Sequence, residues 1–328
     1  MKKLIGLSVL VFSGFLGAGF YEQVHVAEEW KRPEVVFPDD NPLTDAGIDL
    51  GGALFFETLL SKDSTLSCQS CHMVGEAFAD HLMVGAGIKG RQVTRNTPTV
   101  FNVGLHPYFM ADGKFKTLED QILGPINEHR EFDMTPDEVV ERLRSVPRYN
   151  ELSLAAFGEE LTIDGVQKSI ANYERILFSD DSKFDYYQRG EAELTTEELK
   201  GWELFQSEEL NCIQCHGGYN FTNYAFENNG LDKTYADSGR AGITKAAVDL
   251  AKFKVPTLRN IAITYPYMHD GSVESLDEVI VHYAKGGVGH VSQSSLIAGF
   301  HMSDIEKKSL LAFLNTLTES SLIGYYED

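Results

Sequence analysis

Cysteine is scarce in this chain, basic charge is outnumbered, and alternating apolar–polar strand patterns are missing. Four cysteines occur in 328 residues, all inside two short identical patterns, so none is left for a disulfide, a free nucleophile or a further metal site. Lys and Arg total 28 against 49 Asp and Glu, a formal charge of −21. A surface that acidic has no basic patch with which to displace counterions from a phosphate backbone, which argues against nucleic acid as a partner. Tryptophan is limited to Trp30 and Trp202. Without long period-two patterns the chain reads as mostly α.

One apolar run stands out. Lys2 and Lys3 precede Leu4 to Phe20, which is rich in Leu, Val, Phe and Gly, and the first acid is Glu22. This is the layout of an export signal over residues 1–22, with Gly17-Ala18-Gly19 as a cleavage region. An uncleaved anchor is the alternative, since 17 positions are marginal for a bilayer span. No cysteine follows for lipid attachment, and no later stretch is long and apolar enough to span. A protein working in the periplasm is expected.

Residues 24–45 read as an irregular lead-in carrying Pro33, Pro38 and Pro42. Helical spacing then recurs over Ala46–Leu60, Ile163–Phe178 and Thr195–Gln206. Thr135-Pro136-Asp137-Glu138 opens a further helix in the capping-box manner, and the last helix starts near Ser303-Asp304-Ile305-Glu306. The chain also repeats itself. Gly51-x-x-Leu54-Phe55 precedes the first cysteine pattern and Gly201-x-x-Leu204-Phe205 the second. Pro98-Thr99, Asn102, Met110, Asp112-Gly113, Leu118 and Ile122 recur 158 positions later as Pro256-Thr257, Asn260, Met268, Asp270-Gly271, Leu276 and Ile280. A gapless register over so many positions implies two homologous domains, residues 23–182 and 183–328, with the polar stretch Ser179–Glu193 as the seam. The last helix could pack back on the first domain.

The cysteine patterns are Cys68-Gln-Ser-Cys71-His72 and Cys212-Ile-Gln-Cys215-His216. Cys-x-x-Cys-His is the attachment signature of c-type haem: two thiols add to the porphyrin vinyl groups, and the adjacent His supplies an imidazole nitrogen to iron. A single such pentapeptide would also suit a redox dithiol, and four cysteines a zinc site. Zinc, however, needs no His at the fifth position of both pairs, and the pairs fall in separate repeats. Two covalent haems, one per repeat, are expected.

The sixth position of each iron decides between electron relay and catalysis, because a ligand on both faces makes a relay and an open face admits peroxide. His81, His106, His269, Met268 and Met302 are available, and spacing alone does not choose among them.

These motifs, with Lys254-Val-Pro-Thr-Leu-Arg-Asn260 and Pro266-Tyr-Met-His269-Asp-Gly271, resemble the bacterial di-haem cytochrome c peroxidase/MauG family from about Asn41 to Thr318. The resemblance implies a peroxidatic N-terminal haem, a C-terminal haem that takes in and stores electrons, and a calcium ion between the domains. Gln121 and Glu131 match the family's distal pair, and Pro125 matches a proline over the distal face in MauG-like members. A carboxylate there can take a proton from peroxide and return it to the leaving oxygen. Asn96, Thr264 and Pro266 match calcium-binding positions, and their carbonyl and amide oxygens suit a hard cation.

Three positions depart from the typical peroxidase. Ala86 stands where a distal His would have to leave before peroxide binds, so the first centre is expected to be open without reductive activation. Tyr283 aligns with an axial Met, as a Tyr does in MauG-like proteins, and an anionic oxygen would favour ferric iron over easy reduction; Met268 and Met302 are the competing ligands. Ala111 replaces a Trp between the haems, leaving a route past Tyr108 or Phe109.

The expected activity is reduction of hydrogen peroxide at the His72 haem with electrons relayed through the His216 haem. They would come from a small redox protein (a cytochrome c or cupredoxin) or an oxidisable protein. A MauG-like oxidase acting on Tyr or Trp of a partner, and a non-catalytic electron carrier, are the alternatives. A homodimer is compatible with the sequence.

Overall fold

The computed structural model describes residues 30–323. The expected export signal, residues 1–22, lies outside the described residues. Eleven α-helical segments and one small sheet are described, so the chain is mostly α, as its patterning indicates.

Helix α1 (Asp45–Phe55) starts where the Thr44 side chain accepts from the Gly47 amide, and it buries Leu50, Leu54 and Phe55. It crosses α5 (Ile163–Arg175) at Gly51, where a Cβ would lie 2.0 Å from the Ser169 carbonyl oxygen. Between them in sequence come α2 (Leu118–Asn127), α3 (Pro136–Arg144) and α4 (Pro147–Phe157). Leu54, Ile126, Val139, Leu143 and Ile170 gather in one core among these helices.

The second half repeats the crossing. Helix α6 (Lys183–Gln188) leads to α7 (Thr196–Gln206), followed by α8 (Ala241–Thr244), α9 (Leu276–Ala284), α10 (Asp304–Asn315) and α11 (Ser320–Ile323). At Gly201 on α7 a Cβ would lie 1.9 Å from the Ser309 carbonyl oxygen of α10. The repeated Gly-x-x-Leu-Phe motif is thereby explained: the glycine lets two helix backbones touch, and Phe55 and Phe205 fill the wedge beside the contact. A second core holds Phe184, Phe205, Phe221, Ile280, Leu310 and Phe313. Leu322 of α11 returns to the first half, packing with Phe55, Phe78 and Phe101.

The 158-residue register is also structural. Asn102 and Asn260 both take a left-handed backbone, at φ 57° and 60°, and so do Met110 and Met268. The bridge Phe109–Phe115 recurs as Tyr267–Val273. Thr117 caps α2 and Ser275 caps α9. The two-stranded antiparallel sheet, β1 (Phe226–Glu227) with β2 (Phe253–Lys254), sits in the second half. Among the described residues no helix is long and apolar enough to cross a membrane.

Candidate haem centres and active site

Each Cys-x-x-Cys segment is one turn of 3₁₀ helix, Cys68–Ser70 and Cys212–Gln214, ending in the histidine. The His72 and His216 amides both bond back to the first cysteine's carbonyl at 2.9 Å. Their Nδ1 atoms meet the Phe78 and Phe221 carbonyls at 3.0 and 3.1 Å. Those bonds require Nδ1 to be the donor, which leaves Nε2 deprotonated and available to a metal. Burial holds His72 below the usual histidine range, opposed by the Phe78 and Pro98 carbonyls. Burial likewise lowers His216 to about 4, against Phe221 and Pro256. Both rings are neutral at physiological pH, as iron ligands must be.

The thiols fit attachment better than the alternatives. All four cysteines are free. Burial pushes Cys71 up to about 11 and Cys212 up to about 12, and raises Cys68 and Cys215 as well. A reactive redox dithiol shows the opposite shift. Among the described residues, no group of three or more His, Cys, Asp and Glu could hold a metal, so the two pairs do not meet in a zinc site. A buried thiol pair beside an oriented neutral imidazole, built twice, is a donor set that fits haem c.

Several of the residues expected over the first haem lie around the first pair. The negative charge of Glu131 acts on both Cys68 and Cys71, which places the carboxyl in the neighbourhood of the thiols. Burial raises its pKa to about 7, with Glu128 adding to the rise and Lys114 opposing it. Gly85 comes within 3.5 Å of Cys71 Sγ, measured from where its Cβ would be, which places the 84–87 turn beside the same thiol. Ala86 on that turn is exposed and offers only a methyl group. Gln121 directs Nε2 at Met110 Sδ, 3.6 Å away. Pro125 lies inside α2, and its carbonyl accepts from Phe132 at 3.1 Å, tying α2 to the segment that carries Glu131.

The second centre differs at one decisive position. Tyr283 on α9 stands 158 residues after Pro125 on α2, so the same helical site presents a phenol in one repeat and a proline in the other. Tyr283 is half-buried, and desolvation pushes its phenol up to about 12, with Asn229 opposing and the Cys215 and Cys212 charges adding. Asn229 also donates to Met268 Sδ at 3.1 Å, so both rival ligands border one space. Met302 packs with the second core. The other rivals are engaged elsewhere: His81 binds the Ile263 carbonyl and stacks on Tyr265 at 4.1 Å, and His269 stacks on Phe253 at 4.0 Å.

The two halves meet along the segments flanking these sites. Asn96 N donates to the His269 carbonyl at 2.9 Å, and Asn96 Nδ2 reaches the Leu82 carbonyl at 3.0 Å. Asn96 is thus joined to the segment that carries Thr264 and Pro266. Ala111, at the expected Trp position, accepts from Lys254 N at 2.7 Å. The Tyr108 ring reaches across to Phe226 at 5.7 Å, whereas Phe109 is buried within its own half. Arg95 bridges Asp112 and Asp237 at 2.9 and 2.7 Å, an interface ion pair that spacing in the sequence does not announce.

Known proteins are similar to this chain in sequence and in fold. Residues 45–193 match the family described as di-haem cytochrome c peroxidase. The chain is 37% identical to the methylamine utilization protein MauG of Methylorubrum extorquens, over 88% of this chain and 83% of that protein. It is 34% identical to the cytochrome c551 peroxidase of Nitrosomonas europaea, over 97% and 92% respectively. Among solved structures, a MauG-like protein associated with microbial copper homeostasis superposes with a TM-score of 0.84 at 34% identity, covering 90% of this chain and 97% of that one.

Proposed function

The chain belongs to the di-haem cytochrome c peroxidase/MauG family of oxidoreductases, and from that premise we infer that it reduces hydrogen peroxide at the His72 centre in the periplasm. Cys68, Cys71 and His72 would hold one haem c, and Cys212, Cys215 and His216 the other. When bound, the haems supply the iron that takes peroxide and the redox capacity to reduce it.

The observation that carries this reading is the Glu131 carboxyl, half-buried in the neighbourhood of Cys68 and Cys71 and raised to about 7 by desolvation. A base poised near neutrality can take the first proton of H2O2 at its near oxygen and hand it to the departing oxygen as water forms. Gln121 orients the peroxide by hydrogen bonding. Pro125 and Ala86 contribute no ligand, which keeps that side free for substrate. Tyr283 would be a further residue binding the iron at the His216 centre. Asn96 with the Thr264 and Pro266 carbonyls would hold a calcium ion between the halves, an all-oxygen set suited to a hard cation. The acidic surface suits a small basic redox protein as electron donor.

A second reading, oxidation of Tyr or Trp residues on a partner protein, is favoured by Tyr283, since an anionic oxygen ligand disfavours the easily reduced state a relay needs. Both are tested on the oxidised holoprotein. A peroxide-dependent spectral change with turnover of reduced cytochrome c or cupredoxin supports the peroxidase. The same spectral change without donor turnover, but with modification of a protein substrate, supports the oxidase. Two low-spin haems indifferent to H2O2 sink both readings and leave an electron carrier.

A further inference from the structure

The internal repeat makes the interface between the halves a pseudo-two-fold arrangement. Asn96 of the first repeat corresponds to Lys254 of the second, Ala111 to His269, His106 to Thr264 and Tyr108 to Pro266, all 158 positions apart. The contacts obey the same pairing. Asn96 N donates to the His269 carbonyl, and Lys254 N donates to the Ala111 carbonyl. A Cβ on Gly271 would strike the Met83 backbone, and one on Gly113 would strike the Phe226 and Arg240 side chains, so each half's glycine turn abuts the other half.

At one of the two related positions a cation is already present. Lys254 Nζ donates to the Tyr108 carbonyl at 2.7 Å and to His106 Nδ1 at 3.0 Å. These partners are the repeat equivalents of Pro266 and Thr264, the two residues proposed to hold calcium with Asn96. Asn96 carries a neutral amide and brings no charge to its own site. Its Nδ2 is spent on the Leu82 and Met83 carbonyls, which leaves Oδ1 as the donor to a cation.

We propose that Lys254 is a built-in cation whose ammonium occupies the interface position related by the internal repeat to the calcium site, so that the halves are clamped by two cations, one covalent and one exchangeable. An ammonium and a hard metal ion solve the same electrostatic problem, converging carbonyl oxygens at a buried contact, with hydrogen bonds in one case and coordination in the other. Desolvation lowers the Lys254 ammonium to about 8, with the nearby Asp112 carboxylate opposing the fall, so the side chain still carries its charge at neutral pH. Chelation therefore releases only the Asn96 side of the interface and leaves the Lys254 side clamped.

The inference rests on the calcium reading of the Asn96 site, and the test separates the two. Calcium bound per chain is measured on the di-haem holoprotein by elemental analysis after equilibration with calcium chloride and gel filtration. Wild type, Asn96→Lys and the double variant Lys254→Asn/His106→Thr are compared. The expected result is one calcium in wild type, two in the double variant and none in Asn96→Lys. The melting temperature of Asn96→Lys should also be unmoved by EGTA and higher than that of wild type in EGTA. A folded double variant binding no more calcium than wild type overturns the role of Lys254 while leaving the calcium site standing. No calcium in wild type but one in the double variant sinks the calcium reading and supports Lys254. Should the double variant not fold, Asn96→Lys decides: calcium retained, or a lower melting temperature than wild type in EGTA, overturns the inference.

Discussion

Gly87 lies directly beneath the backbone that carries Glu131. A Cβ at Gly87 would sit 1.5 Å from the Arg130 carbonyl oxygen and 3.0 Å from Glu131 Cα, and the next amide, Ile88 N, donates to the Glu131 carbonyl at 3.1 Å. The turn bearing Ala86 and the segment bearing the proposed base are therefore one rigid unit. Gly87→Ala is expected to push the 130–131 segment outward, since the clash is with backbone and no rotamer change relieves it. The cost is about 1–3 kcal/mol of stability, and peroxide reactivity falls because the carboxyl is displaced. Stopped-flow mixing with H2O2 checks this against Gly75→Ala, whose Cβ would meet nothing within 4 Å.

The position of Glu131's titration sets a pH profile. With a pKa raised to about 7 by burial and by Glu128, the carboxyl must be ionised to act as base, so the rate of reaction with H2O2 rises with pH through about 7. Between pH 6 and pH 8 the ionised fraction changes by about tenfold. Glu131→Gln should lose about 10²–10⁴-fold in that rate and flatten the profile. Glu128→Gln should keep the rate and shift the profile to lower pH. Full reactivity in the Glu131→Gln variant would remove the carboxyl from the mechanism.

Tyr283 is a half-buried phenol raised to about 12 by desolvation, so it gives up its proton only to a strong positive charge such as ferric iron. Tyr283→Phe should abolish a phenolate signature in magnetic circular dichroism and move the potential of the His216 haem upward. Axial ligands span about 0.8 V in haem proteins, so the shift should be well resolved by spectroelectrochemistry. If Met268 were the ligand instead, Tyr283→Phe would leave both readouts unchanged and Met268→Ala would alter them. Asn229, which touches both side chains, makes either outcome geometrically accessible.

Much of this organisation is legible in the residues. The repeated Gly51 and Gly201 motifs, the capping sequences at Thr135 and Ser303 and the 158-residue register all report local geometry, and local geometry survives folding intact. What the chain conceals is contact across long separations. Nothing near Gly87 signals that residue 130 will lie on it, and Arg95 has no neighbour in sequence that announces Asp237. Tyr283 could be proposed as a ligand by resemblance, but its shared border with Met268 through Asn229 depends on packing that no spacing encodes. The short α6 and the helix of 147–157 also escape periodicity, one through brevity and the other through a weakly apolar face.

The orientation of His216 depends on a buried ion pair, and this yields a prediction about stability. Arg259 binds both oxygens of Asp185, at 2.8 and 2.9 Å, and donates from Nε and Nη2 to the Tyr219 carbonyl at 3.0 and 2.7 Å. Tyr219 begins the short turn ending at Phe221, whose carbonyl holds His216 Nδ1. Arg259→Met leaves the Asp185 charge buried and unpaired, at a cost of about 3–5 kcal/mol, and loosens the turn that aims the imidazole. In wild type, burial raises the Asp185 carboxyl, but Arg259 holds it below its usual value of 3.8 overall. A depressed carboxyl contributes stability above its unfolded pKa and loses it as pH falls through the folded one. Without Arg259 the upward push of burial is opposed only by the hydrogen bonds from Ser182, so the carboxyl contributes less above its unfolded pKa and the variant falls further behind wild type as pH rises. The gap between variant and wild type in denaturant melts should therefore be widest near pH 7 and narrow toward pH 4. The double variant Arg259→Met/Asp185→Leu should recover part of the loss at pH 7, because it removes the stranded charge, and its gap should not depend on pH over that range. A single Arg259→Met whose deficit is the same at both pH values would mean that the lost contacts to Tyr219, rather than the ion pair, hold this turn.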